Sequence, residues 1–329
     1  MERVEVPLYK SSRGVLFKTL LSSACRMDCL YCPYRRGGPA ERHAYTPSRL
    51  ARLAFEAVRR GLASGVFISS GLYGDPEVVT EAVVEAAERL RALGYRGYIH
   101  LRLMPGTPPS LVRRAAEVAD RIGVNLETVD PSRFAEIAPS KGSWSLDLYS
   151  RLAYAARVAG DPRRVDTQLV VGAAGETDEE IIELTYRLLR LGVGVVHYSP
   201  YTPVPGTPLA EKRRATPEAR ARRLYEAEAL MRDYRMTPED LKAVLDDRGM
   251  LPLTPRSLKE EVAEAHPEWF PVDPEEATLE ELLRVPGIGP KTARAVLEAR
   301  REGRRIDRAL LYRLLGGRAR KALKYLDVR

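Results

Sequence analysis

The stretch Val15-Leu16-Phe17-Lys18-Thr19-Leu20-Leu21-Ser22-Ser23-Ala24-Cys25-Arg26-Met27-Asp28-Cys29-Leu30-Tyr31-Cys32 decides how this chain is read. A short apolar run predicts a strand over Val15–Leu20, and a loop with the spacing CxxxCxxC follows it directly. Cys25, Cys29 and Cys32 are the only three cysteines of the 329-residue chain. Their odd number and tight spacing do not fit a disulfide framework. Three thiolates so spaced can hold three irons of a 4Fe–4S cluster and leave the fourth without a protein ligand, open to a substrate or cofactor. The competing assignment is a Cys3His zinc site completed by His43, although structural zinc sites usually draw their ligands from two knuckles and no second cysteine pair exists here.

Working outward, further apolar runs predict strands at Val66–Ser70, Tyr98–Leu103, Val124–Thr128, Thr167–Val171 and Val195–Tyr198. Helix-period segments lie between them. Thr46 and Pro47 read as N-cap and first helical residue, with Leu50, Leu53, Ala54, Ala57 and Val58 on one face. Thr177 and Glu180 make a capping box. Alternating strands and helices predict a parallel sheet with right-handed crossovers, an α/β fold. Six such units predict a partial (β/α)6 barrel with the cysteine loop at its C-terminal mouth. The front domain is expected to span 1–210. His100 and His197 fall on strands and read as core histidines rather than bases, while Tyr198 and Tyr201 lie near the expected mouth.

A second signal lies near the C-terminus. Leu282-Leu283-Arg284-Val285-Pro286-Gly287-Ile288-Gly289-Pro290-Lys291-Thr292-Ala293-Arg294-Ala295-Val296 reads as helix, tight hairpin, helix. Thr278 and Glu281 form a capping box for the first helix, and Pro290 opens the second. Gly287 and Gly289 allow the hairpin backbone to approach another chain, and the free amides at the second helix's start face an anion. This resembles the helix-hairpin-helix motif of DNA repair proteins, which holds phosphate without reading sequence. Gly287, Gly289, Lys291, Thr292 and Arg294 are the candidate nucleic-acid-binding residues. Residues 278–329 are predicted to form a small all-α domain, with helices at Arg308–Leu315 and Ala319–Tyr325. A structured bridge is expected over 211–277, where Trp269 and Phe270 pack on a domain.

Charge supports the same partner. The chain carries a formal +8, and residues 278–329 alone hold fourteen Lys+Arg against six Asp+Glu, so everything before them sums to zero. A neutral body with a basic tail points to a polyanion. No run of eighteen apolar residues predicts a membrane span, and Met1 to Leu20 lacks the layout of a secretory signal. A cytoplasmic location, with no membrane partner, is therefore the expectation.

The order of cysteine triplet, Ser70-Gly71 turn, Gly172-Ala173-Ala174-Gly175-Glu176, Pro267-Glu268-Trp269-Phe270-Pro271-Val272-Asp273 and the glycine hairpin resembles the radical SAM/helix-hairpin-helix family over nearly the whole chain. Its members are described as DNA modification or repair proteins. The resemblance implies a 4Fe–4S cluster on Cys25, Cys29 and Cys32. It also implies S-adenosyl-L-methionine (SAM), cleaved reductively to a 5′-deoxyadenosyl radical. Tyr31 is placed near the SAM adenine, Ser70 and Gly71 at the turn that receives the SAM ammonium, and Gly172 and Glu176 in the segment that contacts adenine through backbone. Asn125 and Glu127, of equal parity on the fourth strand, face the lumen as candidates for the ribose hydroxyls. Lys141 and Arg102 are candidates for the SAM carboxylate. The radical-quenching residue is unknown. The implied partners are DNA, an electron donor and a protein related to uracil-DNA glycosylases. Two other functions remain open at this point: a radical SAM enzyme acting on RNA or tRNA, and a non-enzymatic Fe–S DNA-binding redox sensor.

Overall fold

Parallel strands need a crossover between them, and the front of the chain supplies a helix after almost every strand. The computed structural model describes residues 7–11 and 14–328. The strands are β1 (Leu8–Ser11), β2 (Gly14–Leu20), β3 (Gly65–Ser69), β4 (Tyr98–Arg102), β5 (Arg121–Gly123), β6 (Val165–Val171) and β7 (Val195–Pro200). They form one sheet in the order β1 to β7, so the two ends do not meet and the barrel stays open. β2 through β7 pair parallel in register, as the alternating sequence predicts. The helices between them are α1 (Pro47–Arg59), α2 (Pro76–Ala92), α3 (Pro109–Val118), α4 (Pro131–Ile137), α5 (Ser150–Ala159) and α6 (Asp178–Arg190).

The helix starts follow their caps. Thr46 accepts from the Arg49 N–H at 3.2 Å with Pro47 behind it, and α1 buries Leu50, Ala54 and Ala57. The Thr177–Glu180 box closes reciprocally, with the Thr177 N–H donating to Glu180 at 2.7 Å and the Glu180 N–H to Thr177 Oγ1 at 3.2 Å.

Two strands differ from the sequence reading. β1 is an added antiparallel strand on the first, short and half polar, without the apolar run that marks the others. The strand expected at Val124–Thr128 lies earlier, at Arg121–Gly123. Beyond it the chain leaves strand geometry, because Glu127 takes φ 67°, and only an isolated bridge from Glu127 to Leu169 continues the pairing.

Beneath the barrel mouth a buried carboxylate joins three strands. Asp166 on β6 is fully buried. It accepts from both terminal nitrogens of Arg102 at 3.0 Å, lies 3.0 Å from His100 Nε2 (both residues on β4), and lies 2.9 Å from His197 Nε2 on β7. The two histidines expected in the core thus share one partner. Burial lowers the His100 pKa to about 4, only partly offset by Asp166. Burial would raise the Asp166 pKa, but Arg102 and the two histidines outweigh it and hold the carboxylate well below its usual range.

The Cα framework divides into two compact units, Met1–Glu176 with Arg187–Thr216, and Thr177–Tyr186 with Pro217–Arg329. The second unit holds α7 (Glu218–Tyr234), α8 (Pro238–Lys242), α9 (Leu258–Ala265), α10 (Leu279–Arg284), α11 (Pro290–Arg301), α12 (Arg308–Leu315) and α13 (Ala319–Ala322). Its core gathers Leu282, Leu283, Val285, Ile288, Val296, Leu310, Leu311 and Leu315, with Val272 and Ala277 in the same cluster. Phe270 packs against this cluster, its ring 4.8 Å from that of Tyr325, and the Val272 N–H donates to the Tyr325 carbonyl at 2.9 Å. Among the described residues no helix is long and apolar enough to cross a membrane.

The clamp leaves no room on β5 between its partners. A Cβ at Gly123 would overlap the Asp166 carboxylate and the Arg102 guanidinium. Gly123→Ala is expected to destabilise the protein by at least about 2 kcal/mol. Chemical denaturation checks this, with Gly74→Ala as the comparison, since a Cβ at Gly74 meets only Val79 Cγ2, at 3.9 Å.

Candidate active site and nucleic-acid interface

Loops at the C-terminal ends of β2 to β6 converge on an open cavity of about 230 Å³. Its lining includes Cys25, Cys29, Cys32 and Tyr31 from the loop after β2, Ser69 at the end of β3 with Ser70 and Gly71 after it, Arg102 at the end of β4 with Met104 after it, and Asn125 and Glu127 after β5. Lys141 lines it too, as do Gln168 and Val170 on β6. The triplet, the turn and both polar residues after β5 therefore meet in one place.

The cysteine loop is held by backbone. The Cys32 N–H donates to the Cys29 carbonyl at 3.2 Å, and the Arg26 N–H donates to the Leu72 carbonyl at 2.8 Å. The Gly71 N–H donates to the Ser22 carbonyl at 2.6 Å, so the second turn lies directly on the first. A Cβ at Gly71 would overlap the Ala24 carbonyl and come within 3.2 Å of the Ser22 carbonyl. Glycine is thus needed for contact between two loops of this chain, beside whatever room it gives a ligand.

Glu127 carries the strained backbone of the site. A non-glycine residue in the left-handed region costs about 1 kcal/mol or more. Its N–H donates to the Gln168 carbonyl at 2.9 Å, and its carbonyl accepts from the Val170 N–H at 2.7 Å. Its carboxylate pairs with the Lys141 ammonium. Asn125 and Glu127 both line the cavity, but from the loop beyond β5 rather than from equal-parity positions of a strand, with Glu127 in the left-handed region.

These charges surround the thiols. Burial pushes the Cys29 thiol up to about 12, with Lys141 pulling the other way, and burial likewise raises Cys32. Burial would lower Lys141, but Glu127 and then Cys29 outweigh it and hold the ammonium above its usual range. Burial, then the Glu127 carboxylate, push the Tyr31 phenol well above its usual range. A fixed cation beside Cys29 and Cys32 suits thiolates bound to a metal centre, while burial keeps the free thiols neutral.

The residues fit a cluster with a second small ligand. Three sulfurs share one cavity wall, and Asn125 Oδ1 is buried there without a hydrogen-bond partner, an acceptor waiting for a donor. His43 does not line the cavity; its Nε2 lies 3.3 Å from the Leu20 carbonyl. Gly172 and Glu176 also lie outside the lining. The Glu176 carboxylate accepts from the Gly172 N–H and, at 3.1 Å, from the Ala174 N–H, and so shapes its own loop. Tyr198 and Tyr201 are buried in packing. The sequence reading did not single out Asp166 or Gln168; the polar pair in Val165-Asp166-Thr167-Gln168-Leu169-Val170-Val171 was the available signal, a charge inside an apolar strand.

In the second unit the hairpin forms as predicted. The Thr278–Glu281 capping box starts α10, and Pro290 opens α11 behind the N-cap Gly289. Gly287 takes φ 92°, and a Cβ there would meet the Arg318 carbonyl at 3.2 Å. Its glycine is therefore demanded by the backbone and by packing inside the unit. The N–H groups of Gly287, Gly289, Lys291 and Thr292 have no acceptor among the described residues. Lys291 and Arg294 are exposed beside them, whereas the Thr292 side chain is buried.

The profile of the radical SAM superfamily matches residues 19–189, and that of the helix-hairpin-helix motif matches residues 275–299. The chain is 24% identical over 194 residues to the FeFe-hydrogenase maturase subunit HydE of Thermotoga maritima, covering 59% of this chain and 53% of that protein. It is 26% identical to the biotin synthase of Streptomyces avermitilis, covering 60% and 50%. It is 27% identical to the ribosomal protein uS12 methylthiotransferase RimO of a Synechococcus strain, covering 64% and 48%. The chain thus spans about half the length of these relatives. Its fold is similar to that of the FeFe-hydrogenase maturase HydG from Carboxydothermus hydrogenoformans, with TM-score 0.52 and 15% identity over 94% of this chain and 77% of that one.

Two substitutions test the two loops. Gly71→Ala pushes the Cys25 backbone away and is expected to lose most of the iron bound after anaerobic reconstitution, measured as iron per chain against wild type. Gly287→Ala is expected to lower the stability of the second unit by about 1–2 kcal/mol, read from protection of its core amides in hydrogen exchange.

Proposed function

Because the chain belongs to the radical SAM superfamily, with a 4Fe–4S cluster and SAM as its cofactors, we propose that it is a radical enzyme that modifies or repairs DNA held by its helix-hairpin-helix unit. The observation that carries this reading is the convergence of Cys25, Cys29 and Cys32 with Gly71, Asn125, Glu127 and Lys141 on one cavity. When bound, the cluster and SAM supply an electron and a hydrogen-abstracting carbon radical.

The residues have separable tasks. Cys25, Cys29 and Cys32 would hold the cluster. Lys141, paired with Glu127, offsets the negative charge of the sulfurs and is the candidate for the SAM carboxylate, whereas both terminal nitrogens of Arg102 are taken by Asp166. Asn125 Oδ1 offers an acceptor to a ribose hydroxyl. Tyr31 and the turn at Ser70 and Gly71 close the walls near adenine and the amino group. Met27, Leu72, Leu103, Met104, Leu148 and Val170 line the rest with apolar surface, which keeps water from a reactive intermediate.

The free amides of Gly287, Gly289, Lys291 and Thr292 with exposed Lys291 and Arg294 suit backbone phosphate. Such contact is independent of sequence, so the choice of target falls to the base or sugar presented to the radical, by extrusion or in single-stranded form. An electron donor is required, and a protein related to uracil-DNA glycosylases is the further partner the family resemblance implies. RNA is the competing substrate.

The test uses anaerobically reconstituted protein with SAM and dithionite. Formation of 5′-deoxyadenosine is expected, and its absence would leave a redox sensor as the better reading. Binding to duplex DNA should exceed binding to tRNA at equal salt and should weaken steeply as salt rises. A preference for tRNA reverses the substrate assignment. Mass analysis of nucleosides from cells with and without the protein then identifies the product.

A further inference from the structure

One partly buried cation in the second unit lies outside the hairpin itself. Lys259 on α9 donates from Nζ to the Ile288 carbonyl at 2.6 Å, and its ammonium lies 4.4 Å from the centre of the Tyr234 ring. No carboxylate pairs with it among the described residues. Its neighbours Glu260 and Glu261 are engaged by Lys321 at 2.8 Å and Arg223 at 3.1 Å. A buried ammonium without a counter-ion is costly, and an anion arriving nearby relieves that cost.

The bonded carbonyl has a specific address. The Ile288 C=O and the Gly289 N–H belong to one peptide group. A charged donor on the carbonyl polarises the peptide and makes the N–H at its other end a stronger donor. The Gly289 N–H is among the four unpaired amides of the hairpin. Lys259 therefore stands one peptide unit behind the group that faces a phosphate.

We propose that Lys259 is a positioning residue for nucleic-acid binding, whose ammonium acts through the Ile288–Gly289 peptide so that phosphate binding and protonation of Lys259 favour each other. This deepens the reading of the hairpin as a phosphate contact and rests on it.

The direction of the pH effect follows from burial. Burial alone lowers the Lys259 pKa to about 7. The free protein therefore loses this charge as pH rises through neutrality, and a bound phosphate holds the proton on. Binding takes up a proton near neutral pH and weakens as pH rises. The other groups around Lys259 are Tyr234 from α7, itself raised first by burial and next by Asp233, with Arg318 opposing, and the uncharged Ile288 carbonyl. His266, just after α9, holds its Nδ1 2.8 Å from Glu268. A variant at Lys259 isolates the contribution of Lys259.

The experiment uses the full chain and a random-sequence DNA duplex at constant ionic strength. Titration calorimetry in two buffers of different ionisation enthalpy reads proton uptake, and fluorescence anisotropy reads affinity. Wild type is expected to take up a proton and to bind about tenfold more weakly at about pH 9 than at about pH 6. Lys259→Met is expected to bind about tenfold more weakly than wild type at the acid end, with no such pH dependence and with unchanged thermal melting. Binding by wild type without proton uptake overturns the proposal, and so does an unaltered pH profile in the variant. The uptake measurement on wild type needs no variant, so misfolding of Lys259→Met does not shelter the claim. Failure of wild type to bind the duplex even at low salt is a different result: it removes the hairpin as a duplex contact, and this proposal with it.

Discussion

A single buried carboxylate organises the front unit. Asp166 draws its partners from β4 and β7 and reaches across β5, where Gly123 lacks the side chain that would block it. Parallel strands in an open sheet are related by backbone ladders alone, and those ladders permit splaying. A carboxylate held by a bidentate guanidinium and two imidazoles fixes the spacing of β4, β6 and β7 together. Burying such a group is justified only if every lone pair is used, and here both oxygens are. The loop that carries Asn125 and Glu127 begins at the end of β5, the strand this clamp spans, and the cysteine loop begins at the end of β2 in the same sheet.

Above the clamp, the cavity depends on a second buried ion pair with a different task. Glu127 and Lys141 bring a left-handed backbone turn and a fixed cation beside Cys29 and Cys32. The turn re-aims a strand end toward the lumen, and the cation offsets the charge that a thiolate-bound cluster brings. Free thiols gain little there, since burial favours their neutral form. The site is arranged for its bound state.

The second unit repeats the pattern at an interface. The hairpin's Gly287 is set by the chain's own packing, through its left-handed backbone and the Arg318 carbonyl beside it. The outward-facing amides are left over once the inward-facing carbonyls have found partners, the Gly289 carbonyl with the Ala293 N–H and the Ile288 carbonyl with Lys259. Phe270, Val272 and Ala277 belong to the same core, which ties that stretch to the helical unit.

The sequence by itself determined what is local. Cysteine spacing, the caps at Thr46, Thr177 and Thr278, the parallel alternation and the glycine hairpin are each written within a few residues, because they depend on backbone torsions and short-range hydrogen bonds. Tertiary structure alone decided what is joined across the chain: Asp166 with His100, Arg102 and His197; Glu127 with Lys141; Lys259 with Ile288. Each is an unremarkable charged residue in one dimension. Burial makes it decisive, because a charge removed from water must be answered by whatever the fold places beside it, and no spacing rule records which residue that is.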